Sequence, residues 1–184
     1  VTGREKTFNI NEATQYEIGD ALPDVTGGFR TSFRWKNFDF MLAAAYQIGG
    51  RQWDGNSANV YSPGRAGFTA SQDLVGNTWT PEHTNAKFPK LMFNGTWNFV
   101  GSNCDYLYRD ASYFSLKTIN VGYTLPKRWT SKICIESLRV FFAADNLYFT
   151  SAHTGFDPRT AYAGQNAFGF PQAKTFTFGI TMNL

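Results

Sequence analysis

The sequence predicts an all-β fold: antiparallel strands of a transmembrane β-barrel, joined by long loops on one side and short turns on the other. Three observations carry that expectation. Apolar and polar residues alternate with period two over stretches of about ten residues, the length a tilted strand needs to cross a bilayer. The connections are very unequal in length. The apolar content is also aromatic rather than aliphatic: Phe, Trp and Tyr make up 17% of the 184 residues, yet mean hydropathy is slightly polar. A wall with one face in lipid and one in water has that balance.

Taken in order, residues 1–26 read as a loop, and the first strand spans 27–36. It sets Phe29, Phe33 and Trp35 opposite Arg30, Ser32, Arg34 and Lys36. A minimal turn at Lys36-Asn37 leads into 38–48, where Phe38, Phe40, Leu42, Ala44, Tyr46 and Ile48 alternate with inward Asp39, Ala43, Ala45 and Gln47. Residues 49–111 have no period and read as a long loop. In 112–125 the alternation slips: Phe114 and Leu116 share one phase, Ile119, Val121, Tyr123 and Leu125 the other. A one-residue slip turns every later side chain to the wrong face unless an extra residue is absorbed, so a β-bulge is expected near Lys117-Thr118. After a modest connection, 137–149 set Leu138, Val140, Phe142 and Ala144 against Arg139, Phe141, Ala143 and Asp145. A second long loop fills 151–173. The last strand, 174–184, places Phe176, Phe178, Ile180, Met182 and Leu184 on one face and Thr175, Thr177, Gly179, Thr181 and Asn183 on the other.

Five strands cannot seal a membrane barrel, because open edges leave backbone groups unsatisfied in lipid. The chain is therefore expected to be a fragment, or one share of a barrel built from several chains. With the C-terminus in the periplasm, both short turns are periplasmic and the long loops 1–26, 49–111 and 151–173 extracellular.

Several function classes fall away. A formal charge of +3 without a basic run gives no support for nucleic acid as a partner. His83 and His153 lie in different loops without ligand spacing, so no metal and no cofactor are expected. Asp54, Asp73, Asp105, Asp110 and Asp157 are scattered, and no nucleophile–base pattern accompanies them, so no catalytic residue is assigned. Cys104 and Cys134 flank one strand at opposite membrane levels, about 30 Å apart, too far for a disulfide.

Two groups of aromatics remain. Trp53, Tyr61, Phe68, Trp79, Phe156, Tyr162, Phe168 and Phe170 sit among Asn, Gly and Arg in the long loops, where they suit sugar stacking, a protein interface or a core of the loops' own. Tyr46, Tyr113 and Tyr148 near outer strand ends, with Trp35, Tyr123 and Trp129 near inner ends, suit the two girdles at the membrane interfaces.

The order of motifs resembles the SusC/RagA family of TonB-dependent receptors. Gly19-Asp20-Ala21-Leu22-Pro23, Lys36-Asn37-Phe38-Asp39 and Tyr46-Gln47-Ile48-Gly49-Gly50 carry the first part of the likeness. Asp110-Ala111-Ser112-Tyr113-Phe114-Ser115-Leu116-Lys117 leading to Val121-Gly122-Tyr123-Thr124-Leu125-Pro126 is its most specific piece, followed by Asp145-Asn146-Leu147 and Gly155-Phe156-Asp157-Pro158. The resemblance implies the last five strands of a 22-stranded outer-membrane barrel, of Bacteroidetes type, that encloses an N-terminal plug. It also implies a SusD-like surface lipoprotein as a lid, TonB as energy relay through segments outside these 184 residues, and glycans or peptides as cargo. On that analogy Arg30, Arg34, Asp39, Gln47, Arg139 and Asp145 line the lumen and meet the plug. Trp53, Asp54, Trp79, Phe156, Asp157, Arg159 and Phe168 would meet lid or substrate. Two positions depart from the family pattern: Arg159 stands where Glu is usual, and Leu184 where an aromatic is. Outside the family, the same residues would suit a soluble carbohydrate-binding β-sandwich, or a small pore or adhesin barrel assembled from several chains.

Overall fold

The computed structural model describes residues 16–61, 70–88, 90, 105–133, 135–160, 165–166 and 170–184. In chain order the elements are β1 (Val25–Trp35), β2 (Phe38–Ile48), β3 (Arg51–Asp54), α1 (Gly55–Val60), β4 (Tyr108–Asp110), β5 (Tyr113–Thr124), α2 (Lys127–Thr130), β6 (Ser137–Ser151), β7 (Gln165–Asn166) and β8 (Thr175–Asn183). They fall into two compact units. One holds Leu22–Gly50, Asp110–Thr160 and Phe170–Leu184; the other holds Val1–Ala21, Arg51–Arg109 and Ala161–Gly169.

The first unit is a five-stranded antiparallel sheet in the order β1-β2-β5-β6-β8. Cross-strand partners share a face, and the register sorts the side chains accordingly. Phe29, Phe33 and Trp35 pair with Ala44, Phe40 and Phe38; those residues pair onward with Leu116, Val121 and Tyr123. The row continues through Val140 and Phe142 to Ile180 and Phe178. That face is uncovered among the described residues: Phe33 is 62% and Phe178 80% exposed. A soluble sheet buries such a face under a second layer, and an apolar patch this continuous asks for a non-aqueous neighbour. The opposite face carries Arg30, Arg34, Asp39, Gln47, Asn120, Arg139, Asp145 and Thr177.

Lys117 is the extra residue that holds this sorting together. Ala43 pairs with Thr118 and Ala44 with Leu116, leaving Lys117 without a partner on β2. On the other side Leu116 pairs with Tyr148 and Thr118 with Asp145, so Asn146 and Leu147 face the single Lys117. Asn146 takes φ +53, which an Asn tolerates better than most residues. Thr118 Oγ1 donates to Asp145 Oδ1 at 2.8 Å and fastens the irregularity. Both bulged strands leave it with their apolar side chains on the same face as before.

The turns differ by end. Lys36 (φ +51) and Asn37 make a two-residue hairpin, and α2 with a 3-10 turn at Ser131–Ile133 joins β5 to β6. At the other end β2 runs into residues 49–112, and Gln47 Nε2 donates to Ala111 O at 3.2 Å to close the exit. Ala111 N donates to Gly50 O and Gly49 N to Ser112 Oγ, each at 2.9 Å.

The second unit contains a small sheet in the order β4-β3-β7, with β3 and β7 parallel. Its core among the described residues is Leu74, Phe88 and Leu107. Among the described residues no helix is long and apolar enough to cross a membrane. Cys104 and Cys134 lie outside the described residues.

Candidate functional site: the polar sheet face and the loops at its long-loop end

On the polar face, Asp39, Gly122, Phe141 and Gly179 form one row across four strands. Arg139 reaches along this row to Asp39: Nε donates to Oδ1 at 2.9 Å and Nη2 to Oδ2 at 2.5 Å, with Nη2 also 3.2 Å from Asn120 Oδ1. The planar fork of an arginine matches a carboxylate on both oxygens. The path is open because residue 122 is glycine; a Cβ there would press on both the guanidinium and the carboxylate. Gly179 leaves room in the same way for the Phe141 ring, which lies 5.1 Å from the Arg139 guanidinium.

Above the bulge, the loop after β6 folds back on the polar face. Arg159 is its pin. Its Nε and Nη2 donate to Asp157 at 2.9 and 2.7 Å, its Nη1 donates to Ser115 Oγ at 3.0 Å, and its guanidinium stacks 3.8 Å from the Phe149 ring centre. Ser115 and Phe149 are cross-strand partners on β5 and β6, so the loop is anchored to the wall itself. Ser151 Oγ completes the turn by donating to His153 O and Phe156 O. Phe156 is 2% exposed.

In the second unit, Asp54 caps α1: Oδ1 accepts from Ser57 N at 3.0 Å and Oδ2 from Ser57 Oγ at 2.5 Å. It is buried, with Arg109 Nε at 3.8 Å. Tyr61, Phe88 and Tyr106 pack as a cluster, with ring centres 5.0 to 6.5 Å apart. Burial, and then the neighbouring Asp73 carboxylate, push the Tyr61 phenol up from its ordinary value, so it remains a donor to Asp73.

Phe156, Asp157 and Arg159, expected to meet lid or substrate, lie in the loop that Arg159 fastens to the sheet through Ser115 and Phe149. Asp54, of the same expected group, is a buried helix cap. Tyr113 pairs with Gln47 and Ser151 on the polar face and lies 6.1 Å from Phe149, so it does not join the girdle of Tyr46 and Tyr148. Trp53 is half-buried and Trp79 is 36% exposed, which leaves both with surface to offer. Phe168, like Phe68 and Tyr162, lies outside the described residues. Trp35, Tyr123 and Trp129 fall at the short-turn end.

No family model matches the chain. Individual relatives do. Over 94% of its length it is 32% identical to TonB-dependent receptor P3 of Formosa agariphila, and over 97% it is 25% identical to TonB-dependent receptor SusC of Bacteroides thetaiotaomicron. Among solved structures, it superposes on the RagAB peptide importer in the closed-closed state with a TM-score of 0.74, at 25% identity over 91% of the chain. The open-open state gives a TM-score of 0.77 over 97%, at 24% identity. Along nearly its whole length the chain is similar to TonB-dependent receptors of the SusC/RagA kind. It spans about a fifth of the length of the relatives it matches.

TonB-dependent receptors are outer-membrane β-barrel proteins, and the five-stranded sheet is a share of such a barrel. Sequence reasoning found Asp39 and Arg139 separately as inward residues and missed that they meet, 100 positions apart. Gly122 was the available signal: an inward glycine between an acid and a base on the neighbouring strands leaves room for them to join.

Proposed function

We propose that this segment is the C-terminal wall and outer-loop scaffold of an outer-membrane importer, and has no chemistry of its own. The observation that carries the reading is the uncovered apolar face running unbroken through five antiparallel strands. Short turns then face the periplasm and the long connections the exterior. Trp35, Tyr46, Tyr123, Trp129 and Tyr148 sit at the two lipid–water boundaries, where amphipathic rings are favoured. Arg30, Arg34, Asp39, Gln47, Arg139 and Asp145 line the lumen against the plug that the rest of the receptor supplies, and TonB acts through that absent part.

The cargo is a glycan or a peptide, captured with a SusD-like surface lipoprotein. Support comes from SusC itself and from the likeness to the RagAB peptide importer. Of the residues expected at the lid, Trp53 and Trp79 keep exposed ring surface for it. The test is deletion of the whole receptor gene followed by growth on single carbon or nitrogen sources, with affinity purification of the tagged receptor. Loss of growth on one oligosaccharide or peptide class, sparing its monomers, with a surface lipoprotein co-purifying, is the expected result. Unchanged growth on every polymer, with no lipoprotein retained, would overturn it.

A further inference from the structure

The short-turn end of the sheet holds cations that the wall does not use. Arg34, Lys36 and Lys127 line an open cavity of about 480 Å³ between the Lys36-Asn37 turn and the start of α2, and Phe38, Leu125 and Pro126 supply its apolar lining. Asp39 is the one carboxylate in that lining, and Arg139 already holds both of its oxygens. The rim is braced: Asn37 Nδ2 donates to Thr124 O at 2.6 Å, and Thr124 N donates back to Asn37 O at 2.8 Å. Beside the cavity, Lys36 Nζ lies 4.9 Å over Trp35 and the Arg128 guanidinium 5.7 Å over Trp129, and both rings are more than half exposed.

Lys36 and Lys127 meet no other carboxylate in that lining and call for an anion. A lining split between cations and apolar side chains calls for an amphiphile. We infer that this rim is a headgroup site for an anionic phospholipid of the leaflet the short turns face. Its phosphodiester sits between Lys36 and Lys127, and its acyl chains run down the apolar face past Phe38. Free phosphate shares the headgroup chemistry but has no use for the apolar half of the lining. The inference rests on the barrel reading of the previous subsection. A cation beside an anionic headgroup is worth roughly fivefold in affinity, so losing two is worth tenfold or more.

The experiment is native mass spectrometry of the full-length receptor in detergent micelles, titrated separately with phosphatidylglycerol, phosphatidylcholine and inorganic phosphate. Phosphatidylglycerol should bind preferentially to the wild type, and Lys36→Gln/Lys127→Gln should weaken it at least tenfold. Arg51→Gln/Lys87→Gln, an equal charge change in the long connection, should leave it unaltered. Equal weakening by both pairs, or equal retention of phosphatidylcholine, would sink the inference. So would inorganic phosphate displacing the lipid at matched concentration, since that outcome makes the rim a free-anion site. Heat-modifiable gel mobility of the same samples reads barrel formation separately. A receptor that shows the shift but no lipid preference removes this inference alone; one that is soluble without detergent and shows no shift removes the barrel reading first.

Discussion

Asp39 and Arg139 meet across Gly122 only because position 122 has no side chain. Gly122→Ala should therefore act like removal of the pair, although it deletes neither charge. A bidentate pair that is about a third exposed contributes on the order of 1 kcal/mol. A double-mutant cycle of Asp39→Asn and Arg139→Gln in the full-length receptor should return that coupling, and the same cycle on a Gly122→Ala background should return close to zero. Undiminished coupling there would show that the glycine is not what admits the contact. Arg159 is the more consequential residue, because its side chain is nearly buried and two of its partners, Ser115 and Phe149, belong to the wall. Arg159→Glu sets two carboxylates against each other and strands Ser115. Opening of the 153–160 loop should become easier by about 3 kcal/mol, the cost of breaking a buried pair from one side. Amide hydrogen exchange at Phe156 and Thr160 reads this directly, and unchanged protection would contradict it.

At the scale of a strand, the bulge at Lys117 lets one sequence phase serve before it and the other after it. Deleting Lys117 should restore unbroken alternation and leave Thr118–Thr124 facing as before, so the shortened strand should still fold, whereas deleting Asn120 should turn Val121–Thr124 over, set polar groups in the apolar face and abolish folding; a gel-mobility assay in liposomes separates the two. On β8, the adjacent residues Thr177 and Phe178 point to opposite faces. Phe178→Arg should cost about 2–4 kcal/mol of folding stability in a bilayer and Thr177→Arg far less. Equal costs would mean that β8 does not separate lipid from water. The strands and the bulge were legible in the sequence because alternation and its slip are local, written by neighbouring residues. The loop anchor was not. Phe156 between Gly155 and Asp157 reads the same whether displayed or buried, and the partners that bury the Arg159 head, Ser115 and Phe149, belong to other elements. Tyr113 was misplaced for a related reason: its nearness to a strand end was read, while its phase, set by pairing with Gln47, was not.

For the whole molecule, every element answers to one condition, that the sheet stands between two solvents. The unequal connections follow from it, as do the edges of β1 and β8, unpaired among the described residues. The relatives matched are about five times longer than the chain, in keeping with a wall that needs more strands to close. The most direct test is a single-cysteine scan of residues 175–183 in the full-length receptor reconstituted in liposomes, each site carrying an environment-sensitive fluorophore. Emission should alternate, with 176, 178, 180 and 182 quenched by bilayer-embedded quenchers and 175, 177, 179, 181 and 183 by soluble ones. A scan with no period of two, or with both faces reached only by the soluble quencher, would contradict the account at its base.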